Sequence, residues 1–255
     1  MTPAGTARHA LVVGASRGLG LALVRALLRR DDVARVHAAG RGAATSPELA
    51  ALGAAHGDRL GAVALDVRDE AAIARGAAVV GASSPQLHLL VSCAGVLHEG
   101  EGLRPEKKLA DVDPAMLRHA FEVNAFGPLL IAKHFLPLLR HDAPAVLVNV
   151  SARVGSIGDN RLGGWYAYRA SKAAQNMLTR TLAIELRHRA RNVICVSLHP
   201  GTVDTALSRP FQRGVAPAKL LMPDAAAARL LAVIESLGPE DGGTFLDGER
   251  EPIPW

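Results

Sequence analysis

The chain has 255 residues, of which 49% are hydrophobic and 4% aromatic, with two cysteines and a formal net charge of +5. That length suits one large α/β domain able to bury roughly 70–75% of its unfolded surface, and so few cysteines exclude a disulfide scaffold, leaving Cys93 and Cys195 as small buried hydrophobes. The basic residues are scattered (Arg29-Arg30, Lys107-Lys108, Arg187 to Arg191) with no stripe interleaved with aromatics, which argues against nucleic acid as a partner.

His9–Val13 reads as a first strand, followed by a helix over Gly20–Arg30 that places Leu19, Leu23, Ala26 and Leu27 on one face. Val33–Ala38 is a second strand. Ser46 is an N-cap with Pro47 at the first helical position. Leu60–Leu65 is a third strand, Asp69–Val80 a helix, and Leu87–Cys93 a fourth strand, apolar almost throughout. Asp113-Pro114 opens a long helix to about Arg140, which Pro128 and Pro137 should bend or divide. Then come Val146–Val150 as strand, Tyr166–His188 as helix, Asn192–Leu198 as strand, Asp224–Ser236 as helix and Thr244–Leu246 as a last short strand. Strands alternating with helices predict a doubly wound Rossmann-type parallel sheet of about seven strands, helices on both faces, in a single domain over 1–255. Val96–Val112 and Gly201–Met222 are long irregular stretches, of the kind compact domains keep for function. No apolar run approaches the ~18–20 residues that span a bilayer, and residues 1–8 hold no apolar export segment, so a cytoplasmic location is the default expectation.

The first strand runs into Gly14-Ala15-Ser16-Arg17-Gly18-Leu19-Gly20. Glycines at this spacing permit a tight turn, and a helix N-terminus then aims unpaired N–H groups at a pyrophosphate. The backbone of Gly14, Ser16, Arg17, Gly18, Leu19 and Gly20 is therefore the candidate dinucleotide cradle. At the end of the second strand stands Arg41, where a carboxylate would select an unphosphorylated ribose; no carboxylate lies near it in sequence. With Arg17 as a second guanidinium, the expected cofactor is NADP(H). Tyr168 and Lys172 are four residues apart in a helical segment and share a face. An ammonium beside a phenol favours the phenolate, which is how tyrosine becomes an acid/base group near neutrality.

Together with Ser92-Cys93-Ala94-Gly95, Asn124 and Pro200-Gly201, these motifs fall in the order of the short-chain dehydrogenase/reductase family, which the whole chain resembles. Ser151 to Ile157, Gly164 to Lys172 and His199 to Thr205 are similar to its C-factor-like branch, which includes carbonyl reductases. The resemblance implies reduction of an aldehyde or ketone, or oxidation of the alcohol, with Tyr168 as general acid, Lys172 beside it on the nicotinamide ribose, and Asn124 bending its helix and holding a relay water. It implies cofactor contacts from Asp66 and Val67, from Ala94 and Gly95, and from Pro200, Gly201, Val203 and Thr205. Asp66 reads equally as a helix cap. Cys93 stands where the family commonly has asparagine. The family's carbonyl-orienting serine has no clean counterpart: aligning the following glycine on Gly155 puts Ala152 in that place, with Ser151 one residue earlier the candidate and Ser156 the alternative. Trp165 and Tyr166 read either as lining of the substrate pocket or as ordinary core residues, and 201–222, with Leu207 and Phe211, is expected to form a lid. A homodimer or homotetramer is the implied assembly. The rival from another class is a nucleotide-binding regulatory protein with little turnover.

Overall fold

The computed structural model describes residues 7–99 and 104–255. The opening residues of the expected N-terminal stretch (1–6), and 100–103 within the irregular stretch Val96–Val112, lie outside the described residues. Nine strands and seven α-helices are labelled in chain order: β1 (Arg8–Val13), α1 (Gly18–Leu28), β2 (Val33–Gly40), α2 (Pro47–His56), β3 (Leu60–Ala64), α3 (Glu70–Ser83), β4 (Leu89–Ser92), α4 (Pro114–Phe121), α5 (Gly127–Leu139), β5 (Ala145–Val150), α6 (Tyr166–Arg189), β6 (Val193–His199), β7 (Thr202–Val203), β8 (Leu220–Leu221), α7 (Pro223–Ser236) and β9 (Phe245–Asp247). Seven strands form one sheet in the order β3-β2-β1-β4-β5-β6-β9, and every neighbouring pair is parallel.

Parallel strands buried on both faces need apolar residues on both sides, and β1 supplies them from Ala10 to Val13. Its Ala10 and Val12 join a core with α1 and α7, while Leu11 and Val13 join the opposite core with α3, α5 and α6. The strand order reverses direction between β1 and β4. Loops leaving those two strands diverge to opposite faces, so a crevice opens at their C-terminal ends, where folds of this kind bind ligands.

Local chemistry explains the helix starts. Ser46 accepts a hydrogen bond from the N–H of Leu49 at 3.3 Å and Asp69 from that of Ala72 at 3.1 Å, each satisfying an N–H left unpaired by the first turn. The expected division of the long helix after Asp113 is present, at Asn124 and just before Pro128 and not at Pro137. The break is a π-helical turn over Glu122–Phe126, where the Gly127 N–H bonds five residues back to Glu122; Pro128 merely starts α5 and Pro137 rides inside it. One extra residue per turn, rather than a missing donor, shifts the helix face at Asn124. The stretch Gly201–Met222 is more ordered than expected, because β7 and β8 pair in a small parallel ladder and two short 3₁₀ turns lie between them.

At the end of the sheet opposite the crevice, histidines cluster under the strands. The Ser84 hydroxyl lies 2.6 Å from His9 Nδ1 and 2.8 Å from His37 Nε2. His88 Nδ1 accepts from the backbone N–H of His9 at 3.1 Å, and the His88 ring sits 4.9 Å from that of His141. His37 and His88 are 1% and 3% exposed, and burial with neighbouring cationic groups holds each at a pKa of about 4.

Candidate active site

A single cleft of about 1110 Å³ runs along the crevice. Every residue expected to touch the dinucleotide lines it: the glycine loop from Gly14 through Ser16, Arg17, Gly18, Leu19 and Gly20; Arg41; Asp66 and Val67; Ala94 and Gly95; Tyr168 and Lys172; and Pro200, Gly201, Val203 and Thr205. The loop conformation requires its glycines. Gly14 has φ +86°, and a Cβ there would stand 2.7 Å from the backbone nitrogen of Ala94. Gly18 has φ +56° and packs on Thr205, so the loops after β1 and β6 close against each other. The α1 N-terminus carries neither a side-chain cap nor an acidic residue in its first turn, leaving its N–H groups and positive dipole for an anion. These features fit a dinucleotide.

The adenosine end holds charges that proximity in sequence did not reveal. Arg41 Nη2 lies 3.3 Å from Glu99 Oε1, so a carboxylate is near Arg41 after all, brought from beyond β4 by the fold. Asp66 is engaged by Arg68 through the side chain at 2.8 Å and the backbone N–H at 2.9 Å, which holds its carboxyl below the usual range.

At the other end, α6 carries Tyr168, 8% exposed, and Lys172, 3% exposed. Lys172 Nζ donates to Val150 O at 2.9 Å and to Gln175 Oε1 at 2.8 Å, and burial pulls its pKa down to about 8. The expected drop in the Tyr168 pKa is not what the geometry gives. Burial pushes the phenol above its ordinary value, because the ammonium is aimed at Val150 and Gln175 and the desolvated ring has no charged partner. Cys93 beside Lys172 is likewise pushed up, to about 12, so it is a thiol and not a nucleophile.

Asn124 does not line the cleft. It is fully buried behind Gly95, accepting from Val96 N–H at 2.8 Å and donating to Val96 O at 2.8 Å and Ser171 Oγ at 3.0 Å. It thus ties the loop after β4 to α6. A Cβ on Gly95 would stand 3.4 Å from Asn124 Oδ1 and 3.8 Å from Lys172 Nζ, so that glycine separates the two groups.

Ser151 lines the cleft but is 3% exposed, and its hydroxyl donates to Asn176 Oδ1 at 2.7 Å. Ala152 lines the cleft with no hydroxyl to offer, and the Ser156 hydroxyl caps the N–H of Asp159 at 3.0 Å. Trp165 lines the cleft with Phe211, ring centroids 5.0 Å apart, and stands edge-on to Tyr168 at 6.2 Å. Tyr166, expected beside it, points away and is 41% exposed, since one step along a helix turns a side chain by about 100°. Trp165 holds a left-handed backbone at φ 52°, strain that the packing around it maintains.

Sequence reading missed Gln175, Glu99 and Glu106. Gln175, three residues after Lys172, carries an i,i+3 signal that was available. Glu106, 4% exposed, accepts the Ala167 N–H at 3.2 Å and so caps the helix that presents Tyr168; no sequence pattern links residues 61 positions apart.

The family model for short chain dehydrogenases matches residues 8–215. C-signal of Myxococcus xanthus is 40% identical over 147 residues, covering 58% of this chain and 83% of that protein. The 1-hydroxy-2-glutathionyl-2-methyl-3-butene dehydrogenase of Rhodococcus sp. (strain AD45) is 31% identical over 245 residues, covering 96% of this chain and 98% of its own length. The NADPH-bound carbonyl reductase from chicken fatty liver superposes with a TM-score of 0.85 at 30% identity, over 98% of this chain and all of that one.

Proposed function

This chain belongs to the short-chain dehydrogenase family, and we propose that it is an NADP(H)-dependent carbonyl reductase acting on a small-molecule aldehyde or ketone, or on the alcohol in reverse. The observation that carries this reading is the convergence of Tyr168 and Lys172 on one end of a cleft whose other end is the glycine loop flanked by Arg17 and Arg41. NADP(H)-bound structures among the similar proteins, two carbonyl reductases and one short-chain dehydrogenase/reductase, support the choice of cofactor.

The bound nicotinamide supplies the hydride. The chain supplies the rest. Arg41 and Arg17 would offer guanidiniums to a 2′-phosphate, the α1 N-terminus would hold the pyrophosphate, and the loops at Ala94-Gly95 and Pro200–Thr205 would flank the path between. Tyr168, held protonated by burial, donates its O–H proton to the oxygen of a carbonyl reduced at its carbon. Lys172 stabilises the phenolate left behind once its ammonium turns from Gln175 toward the ring. Asn124 holds the Val96 backbone in place behind this pair. Ser151 is the serine of the set; its hydroxyl reaches a carbonyl by exchanging Asn176 for substrate. Trp165 and Phe211 exclude water, and 201–222 closes over the substrate as a lid on a single domain.

The Ser151–Asn176 bond and the alanine at 152 favour one second reading, a nucleotide-binding regulator with weak turnover. Purified protein assayed for NADPH oxidation with aldehydes, ketones and quinones separates the two. Turnover that Tyr168→Phe reduces at least a hundredfold while NADPH still binds supports the reductase. Cofactor binding with no Tyr168-dependent turnover on any compound sinks it.

A further inference from the structure

Among the groups near the cofactor cleft, Glu99 has no role in the chemistry above, yet it meets Arg41, one of the two guanidiniums expected to read the 2′-phosphate. Arg41 leaves β2 and Glu99 lies beyond β4, and these strands flank β1 on either side. Their ion pair at 3.3 Å therefore reaches across the end of β1, and both side chains line the same cleft. Both are about half exposed, at 56% and 49%, so the pair is screened by water and weak enough to exchange. Glu99 also has a second anchor: its Oε2 lies 2.9 Å from His119 Nε2 on α4. The carboxylate can let Arg41 go and remain held. Arg68 offers no substitute for Arg41, because it is spent on Asp66.

We propose that Glu99 tunes the cofactor selectivity of this cleft by occupying the Arg41 guanidinium as an internal stand-in for the ribose 2′-phosphate, ceding Arg41 to the phosphate when it binds while staying held by His119. The inference rests on the NADP(H) reading above. Its physical content is competition. A phosphate bound at Arg41 must displace one anion and then tolerate it nearby, whereas an unphosphorylated ribose meets neither cost. Glu99 thus blunts a preference that Arg41 creates.

The test uses binding alone. Adenosine 2′,5′-bisphosphate and 5′-AMP are titrated into the intact protein and its variants by calorimetry, then NADPH and NADH by fluorescence. Glu99→Gln is expected to tighten the bisphosphate roughly three- to tenfold, as removal of one exposed like charge allows, with 5′-AMP unchanged within about twofold. Raising the salt shrinks the gain. In an Arg41→Ala background, the Gln substitution gives no gain. Equal or weaker bisphosphate binding by Glu99→Gln, or equal tightening of both ligands, overturns the inference while leaving the cofactor reading intact, provided Arg41→Ala still weakens the bisphosphate selectively. If Arg41→Ala leaves the bisphosphate-to-AMP ratio unchanged, the NADP(H) reading itself fails.

Discussion

Acid should loosen this fold through its buried histidines, and His37 gives the magnitude. Its ring is 1% exposed, bonds Ser84 through Nε2, and has its pKa lowered from 6.5 to about 4 by burial, with Arg35 and His9 adding positive charge nearby. Nδ1 faces Gly61 on β3, which brings no counter-charge. Between pH 6.5 and 4 the unfolded chain binds a proton at this position and the folded chain does not. Stability therefore rises with pH across that window, is complete above about 6.5, and is lost as pH falls. For this single residue the loss works out to about 2 kcal/mol by pH 5 and about 3 kcal/mol by pH 4. Urea unfolding at pH 7.5 and pH 5.0 measures it directly. The substitution His37→Gln keeps a polar group for Ser84 but cannot titrate, so its stability should fall by about 2 kcal/mol less than that of the parent chain between those pH values. An unchanged pH dependence in His37→Gln would show that His37 already exchanges protons with solvent in the folded state, and would refute the burial argument.

Three further outcomes follow from the site's geometry. Gly155→Ala would place a Cβ 2.7 Å from Lys172 Cβ and 2.9 Å from the Lys172 carbonyl carbon, so thermal melts should show about 1–3 kcal/mol of destabilisation, with turnover reduced more than cofactor affinity. Glu106→Ala removes the cap on Ala167 and should cost about 1–2 kcal/mol while lowering kcat at unchanged NADPH affinity; Glu106→Gln, which still presents an oxygen, should recover most of both. Asn124→Ala leaves the buried N–H and C=O of Val96 unpaired, and a loss of roughly 2–4 kcal/mol in chemical denaturation is expected.

The strands were legible because a buried parallel strand leaves a largely apolar run, as in Ala10–Val13 of β1, Leu89–Val91 of β4 and Ala145–Val148 of β5. Ser46 and Asp113 announced their helices because capping is a matter of a few adjacent residues, whereas the cap read at Asp66 falls instead to Asp69, and Asp66 is taken by Arg68. The resemblance implied a bend at Asn124, but not that it takes the form of a π-turn over Glu122–Phe126, since no residue type encodes one extra residue in a turn. At the site, spacing gave the glycine loop and the Tyr168–Lys172 pair and the family resemblance implied the other cleft residues, but neither gave their electrostatics. The i,i+4 pattern says Tyr168 and Lys172 share a face; only packing reveals that Lys172 turns to Gln175 and that burial, not charge, governs the phenol. Glu99 and Glu106 were invisible for a simpler reason: each acts on a residue about 60 positions away.

The small ladder between β7 and β8 has a consequence for how such a chain can diversify. Thr202 and Val203 pair with Leu220 and Leu221, so the segment 204–219 leaves and rejoins the body at two adjacent points. Whatever lies between those points can be lengthened, shortened or exchanged at a closure cost that grows only with the logarithm of its length. The sheet, the glycine loop and α6 need not respond. New substrate ranges are thus reachable by replacing a cassette, with the reacting groups inherited unchanged.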